Sequence, residues 1–156
     1  MNLQRTYTVD EAQRKLENYC AYQERCHKEV KTKLLEMRMI PEAIDQIVVH
    51  LIQENYLNEE RFAKAFVSGK FRIKKWGKNR IIRELKFKEI SKCSIEIALN
   101  EIKEEDYLNT LDDLILKRID QINEQNKFKK RKKVADYLLY RGWESHLIYE
   151  KINDYI

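Results

Sequence analysis

Side chains able to do covalent or metal chemistry are sparse in these 156 residues. The thiols are Cys20, Cys26 and Cys93, and the imidazoles are His27, His50 and His146. A zinc site needs about four nitrogen or sulfur ligands at short, paired spacings, and no CxxC or comparable pairing occurs. An odd number of unpaired cysteines reads as reduced thiols in a cytosolic protein, packed as small buried or half-buried side chains. No GxxxxGK[ST] or GxGxxG run is present, and three glycines do not build a phosphate-cradling loop. No Ser/His/Asp or Cys/His order is distinctive, although such triads are set by geometry rather than spacing. The acidic runs Glu59-Glu60 and Glu104-Glu105-Asp106 fall at expected helix starts, where the macrodipole favours them without any catalytic role. The expectation is a protein with no catalytic residue, no metal and no cofactor, and therefore not an enzyme.

Charge is the chemistry that remains. The net +5 resolves into blocks: −3 over residues 1–60, +10 over 61–92, −6 over 96–126 and +4 over 127–156. Within 61–92 twelve basic side chains face only Glu84 and Glu89. Lys70, Arg72, Lys74, Lys75, Lys78, Arg80 and Arg83 form its centre, with Phe71 and Trp76 interleaved, a pattern suited to nucleic acid. Lys127, Lys129, Lys130, Arg131, Lys132 and Lys133 put six cations into seven positions at a helix start. Cations gain nothing from that end of a helix dipole, so the placement points to an anionic partner, nucleic acid or an acidic protein groove.

The elements that carry these residues are helical. With 43% hydrophobic and 37% charged residues but only three glycines and one proline, the composition excludes a turn-rich β-sandwich and a disordered chain. No apolar run approaches the roughly 18–20 residues of a membrane span, and Met1-Asn2-Leu3-Gln4-Arg5-Thr6-Tyr7 has no signal-peptide core. A cytoplasmic, monomeric protein without membrane contact is expected. Periodicity predicts nine helices: Thr8 to about Tyr22, Cys26–Met37, Pro41 through Ile52, Asn58 through Ile73, Lys78–Phe87, a Ser91-capped helix carrying Ile95, Ile97, Leu99 and Ile102, then Glu104–Ile122, Lys127–Arg141 and Glu144–Tyr155. Inward-facing residues include Ile44, Ile47, Val48, Leu51 and Ile52 in the third, and Phe62, Ala63, Phe66, Val67 and Ile73 in the fourth. Arg61 is expected to pair with a carboxylate such as Glu54 or Glu60, or to anchor a repeat boundary.

A repeat organises them. Val30, Leu34, Met39, Ile44 and Val48 share a 4-5-5-4 spacing with Ile81, Leu85, Ile90, Ile95 and Leu99, and with Val134, Leu138, Trp143, Ile148 and Ile152. Two apolar residues four apart mark the inner face of one helix, the third plugs the bend, and the last two face inward on the next. Three such quintets predict an all-α tandem array of three three-helix repeats, elongated and curved, divided at 1–57, 58–103 and 104–156.

Four stretches stand out: Tyr19–Arg25 leading into His27-Lys28-Glu29-Val30 and Lys33-Leu34; Asn55-Tyr56-Leu57-Asn58-Glu59-Glu60-Arg61-Phe62-Ala63; Trp76-Gly77-Lys78-Asn79-Arg80-Ile81-Ile82-Arg83-Glu84-Leu85; and Leu138-Leu139-Tyr140-Arg141-Gly142-Trp143. Through them almost the whole chain resembles the RecX family of recombinase regulators. The resemblance implies structural roles for Arg25, Glu29, Leu34, Leu57, Asn58, Arg61, Phe62, Ala63, Gly77, Leu85, Gly142 and Trp143. It implies a protein that binds the RecA recombinase filament on DNA, lies along its groove, and opposes ATP hydrolysis and strand exchange. Single- or double-stranded DNA is a further partner that the basic blocks leave open. Asn58 stands where the family more often has Asp. The glycine after the middle helix survives only at Gly142, with Arg38-Met39 and Glu89-Ile90 at the equivalent bends. Two other readings stand beside the resemblance: a sequence-nonspecific DNA-binding protein with helix-turn-helix-like units, and an adaptor for another acidic protein.

Overall fold

The computed structural model describes residues 6–156, so the first five residues of the amino-terminal heptapeptide lie outside it. Among the described residues the secondary structure is nine helices: α1 Val9–Tyr22, α2 His27–Glu36, α3 Pro41–Gln53, α4 Glu59–Arg72, α5 Lys78–Phe87, α6 Lys92–Leu99, α7 Glu104–Gln121, α8 Lys127–Tyr140 and α9 Ser145–Tyr155. Local chemistry starts them. Thr8 and Glu11 form a reciprocal capping box on α1. Asn58, Ser91 and Asn126 each accept the third helical N–H of α4, α6 and α8. Pro41 occupies the first turn of α3, where its missing N–H costs nothing.

The helices pack in threes, α1–α3, α4–α6 and α7–α9, with the strongest helix pairings inside each group. The accessible surface of 10423 Å² exceeds the about 8,400 Å² of a compact monomer of this mass, as an elongated array requires. Thirteen of the fifteen quintet residues are buried, with Met39 and Leu99 half-buried. The spacing has a hydrogen-bonding cause. In each group the second and third quintet residues are joined N–H to C=O: Met39 to Leu34, Ile90 to Leu85 and Trp143 to Leu138, each at 3.1 Å. With the inner bonds Arg38 to Leu35, Glu89 to Lys86 and Gly142 to Leu139, these are three Schellman caps. Such a cap needs a left-handed residue, and Arg38, Glu89 and Gly142 have φ of 62°, 61° and 92°.

Two inward assignments are corrected. Ile52 and Ile73 are exposed, the first at the margin of the buried stripe of α3 and the second past the last residue of α4. On α6, Ile95 and Ala98 are buried and Ile97 is exposed. Ile102 follows α6 instead of lying on it. Cys93 is exposed, whereas Cys20 and Cys26 are buried and burial pushes both thiols up to about 11.

The two boundaries between groups differ. One apolar core spans α4–α9 and a second fills α1–α3, with Cys26 the residue of the first group that packs into the larger core. Between the first two groups the joins are otherwise mainly polar. The Arg61 Nε donates to both Glu24 carboxylate oxygens at 2.6 and 2.9 Å, and its Nη atoms reach Asn55 Oδ1 and the Asn55 and Tyr56 carbonyls. Its partner is thus Glu24, not Glu54 or Glu60, since the guanidinium turns back across the boundary. Hollows of about 350 and 340 Å³ flank Glu29 and Lys88 there. Between the second and third groups the backbone itself interlocks. Gly77 N–H donates to the Arg141 carbonyl and Asn79 N–H to the Gly142 carbonyl, both at 2.9 Å. A Cβ on Gly77 would lie 2.5 Å from the Gly142 carbonyl, and one on Gly142 would run into Arg80. Trp143 is buried, stacks on Tyr107 at 4.4 Å and donates its indole N–H to the Lys75 carbonyl at 3.1 Å. Tyr107 donates its hydroxyl hydrogen to Glu144 and accepts the Lys78 N–H, and burial pushes its phenol far up.

Candidate partner-binding face

The first basic block runs from the last turn of α4 through the following loop into α5. Lys70 and Arg72 lie on α4, Lys74 and Lys75 in the loop, and Lys78, Arg80 and Arg83 on α5. None of the seven has a carboxylate within ion-pair distance among the described residues, whereas Lys64 and Lys88, nearby in sequence, are both paired. Arg72, Lys74, Lys75 and Arg83 are exposed. The other three lie against rings. Lys70 Nζ is 5.4 Å from the Phe66 centroid and 4.9 Å from Trp76, Arg80 lies 4.1 Å from Trp76 and 5.1 Å from Tyr140, and Lys78 sits 4.6 Å over Tyr107. The loop is pinned from the third group, with Arg141 Nη1 donating to the Lys74 carbonyl at 2.7 Å. Its cations therefore project from a fixed backbone.

The second block is partly neutralised. Lys132 pairs with Asp136 at 2.8 Å and Lys133 with Glu124 at 3.1 Å, while Arg131 donates to the Ile156 carbonyl oxygen. Lys127 and Lys129 are exposed and Lys130 half-buried, and none of the three has an ion pair among the described residues. Lys127 through Lys133 occupy the first half of α8, and Tyr140 ends it. At 1.5 Å per residue the block lies roughly 10–20 Å along the helix from the junction that carries the first block. The two blocks are therefore offset along α8 rather than merged.

Phe71 is buried and tilted against Tyr107, so it interleaves no surface charge. The exposed ring beside these cations is Tyr140, 74% exposed, from the third group. Sequence order hid it, because sixty residues separate it from Arg80; its one signal was a place beside the Arg141-Gly142-Trp143 run. The remaining resemblance residues sit in the framework. Arg25 lies 3.7 Å over Tyr19 and bonds its carbonyl, Glu29 closes the capping box on Cys26, and Leu34, Leu57, Phe62, Ala63 and Leu85 are buried.

Residues 58–99 match the family model for the second three-helix domain of RecX, and residues 104–152 match that for its third. The regulatory protein RecX of Yersinia enterocolitica is 31% identical over 116 residues, covering 74% of this chain and 68% of that protein. This chain belongs to the RecX family. The RecX of Clostridioides difficile is 25% identical over 142 residues, 91% of this chain and 66% of its own length. That of Lactobacillus johnsonii is 33% identical over 91 residues, but the match spans only 34% of its length. A crystal structure of RecX from Lactobacillus salivarius superposes with a TM-score of 0.83 at 23% identity, covering 94% of this chain and 95% of that one. A second RecX crystal structure gives 0.84 over 94% of this chain and 73% of the other. Among the described residues of this RecX-family chain no cluster of three or more His, Cys, Asp or Glu is placed to hold a metal, and no helix is long and apolar enough to cross a membrane.

Proposed function

We propose that this chain is a negative regulator of the RecA recombinase, binding its filament on DNA and inhibiting ATP hydrolysis and strand exchange. It acts by contact, not by catalysis, as a cytoplasmic monomer, through three units at 1–57, 58–103 and 104–156. Family membership supports the partner, and the observation that carries the contact is the α4–α5 face with its seven cations unpaired by any carboxylate among the described residues. A filament of repeating protomers suits an extended binder, because each added contact raises the effective concentration of the next. The test is filament-dependent ATP hydrolysis with purified recombinase on single-stranded DNA. Inhibition at near-stoichiometric protein is expected, reduced when Lys74, Lys75 and Arg83 are changed together to Gln. Full hydrolysis at excess protein would refute the assignment.

A further inference from the structure

The boundary between the first two groups holds a hollow of about 350 Å³ where α1 and α2 meet the end of α5. That volume lies at the lower end of the about 300–1,000 Å³ of small-molecule sites. Three ammonium groups line it, from Lys28 and Lys33 on α2 and Lys88 just past α5, all half-buried residues. None is closely neutralised. Lys33 has no ion pair among the described residues and lies 6.0 Å from the Tyr19 ring. Lys88 stands 3.9 Å from Glu29, whose Oε1 already accepts the Cys26 N–H and S–H. Lys28 donates to the Phe87 carbonyl at 2.9 Å and sits 4.2 Å over the Phe87 ring. Phe87 itself is 73% exposed and packs into neither apolar core. Thr32 and Tyr19 add hydroxyls to the walls, and Glu36 is the second carboxylate there. Three cations against two carboxylates leave the hollow net positive.

We propose that this hollow binds a small aromatic phosphate, of the size of a nucleoside monophosphate. Ammonium groups are compact point charges that suit a phosphate, and three of them converge on one hollow. With Lys28 over one face, the exposed Phe87 offers its other face to the ring of the ligand. A bare anion leaves that ring uncovered, and a neutral aromatic molecule leaves the cations unmatched. The walls come from both sides of the boundary, so a bound ligand ties α2 to the end of α5 where the other joins are mainly polar.

The probes are AMP, adenosine and ribose phosphate, each titrated into the intact protein by calorimetry at low salt and without recombinase. The wild type binds AMP more tightly than either fragment. Lys33→Gln weakens AMP binding by about ten- to a hundred-fold, the range for losing one hydrogen bond to a charged group. Phe87→Leu, which keeps an apolar side chain, weakens it by about two- to ten-fold through lost stacking. Arg83→Gln, which removes an exposed cation elsewhere on α5, leaves it unchanged. Amide exchange at residues 87–89 and in the first turn of α2 slows with AMP bound, since both border the hollow. No binding by the wild type, equal affinity for AMP and ribose phosphate, or equal loss in Lys33→Gln and Arg83→Gln each overturns the site. So does unchanged affinity in Phe87→Leu. The comparison of the three probes uses the wild type alone, so it decides even where a variant misfolds. With no recombinase in the assay, such a failure leaves the filament reading standing.

Discussion

The three Schellman caps offer one experiment in triplicate, because the same left-handed position is Arg38, Glu89 and Gly142. Glycine is required only where something approaches. At Gly142 a methyl group meets a left-handed backbone cost of about 1–2 kcal/mol and is driven into Arg80. Relief means separating α5 from the Arg141–Gly142 turn, which breaks the Gly77 and Asn79 hydrogen bonds. Each bond contributes about 1 kcal/mol net, and more if its donor stays buried. Gly142→Ala should therefore destabilise by about 3–5 kcal/mol. Arg38→Gly and Glu89→Gly should have the opposite sign, stabilising by up to about 1 kcal/mol, since both side chains are exposed and relief of the left-handed strain outweighs the added backbone entropy of glycine. Urea unfolding followed by circular dichroism and tryptophan emission measures all three, with Trp143 reporting locally. A cost below about 1 kcal/mol for Gly142→Ala, or a loss of stability in both glycine variants, would refute the claim that close approach, not turn geometry, selects glycine.

Arg61→Ala should cost about 1–3 kcal/mol, discounted for a guanidinium that is 38% exposed, and Arg61→Lys should recover little, since one ammonium cannot reproduce the fork; thermal unfolding and protease cleavage near Asn55 report it. His27 is half-buried with an unpartnered Nδ1, and burial holds its pKa below the usual value, Glu59 opposing and Lys31 assisting. A depressed folded pKa means that its contribution is present above about 6.5 and is lost as pH falls through the folded value. Urea midpoints at pH 7 and pH 5 should converge in His27→Gln relative to wild type. Of the three thiols, Cys93 should react with a disulfide reagent at pH 8 in the native state, while Cys20 and Cys26 wait for unfolding, because both are buried with raised pKa values. Fast release of three equivalents would contradict the packing around α1 and α2.

Much of this was legible in residue order because its causes are local. Caps such as Thr8, Asn58 and Ser91 act over three residues, and the 4-5-5-4 quintets encode a helix face, a five-residue cap bond and a second face. Ile52 and Ile73 are exposed despite their periodicity, because spacing marks a stripe but neither its width, which decides Ile52, nor where the helix stops, which decides Ile73 one residue past α4. Arg61 was visible as a boundary residue, but not its partner Glu24, thirty-seven positions away.

By itself, then, the sequence determined nine helices, their grouping in threes and a basic stretch lacking nearby acids, since periodicity, capping and charge runs are properties of neighbours along the chain. Tertiary structure alone decided which cations stand free, which ring stands beside them and why one bend of three must be glycine. Those depend on the third group folding back against α5: Tyr140 reaches Arg80, Arg141 pins Lys74, and two glycines meet where a side chain would not fit. Contacts across sixty residues leave no trace in local spacing, because only the packed cores bring their two halves together.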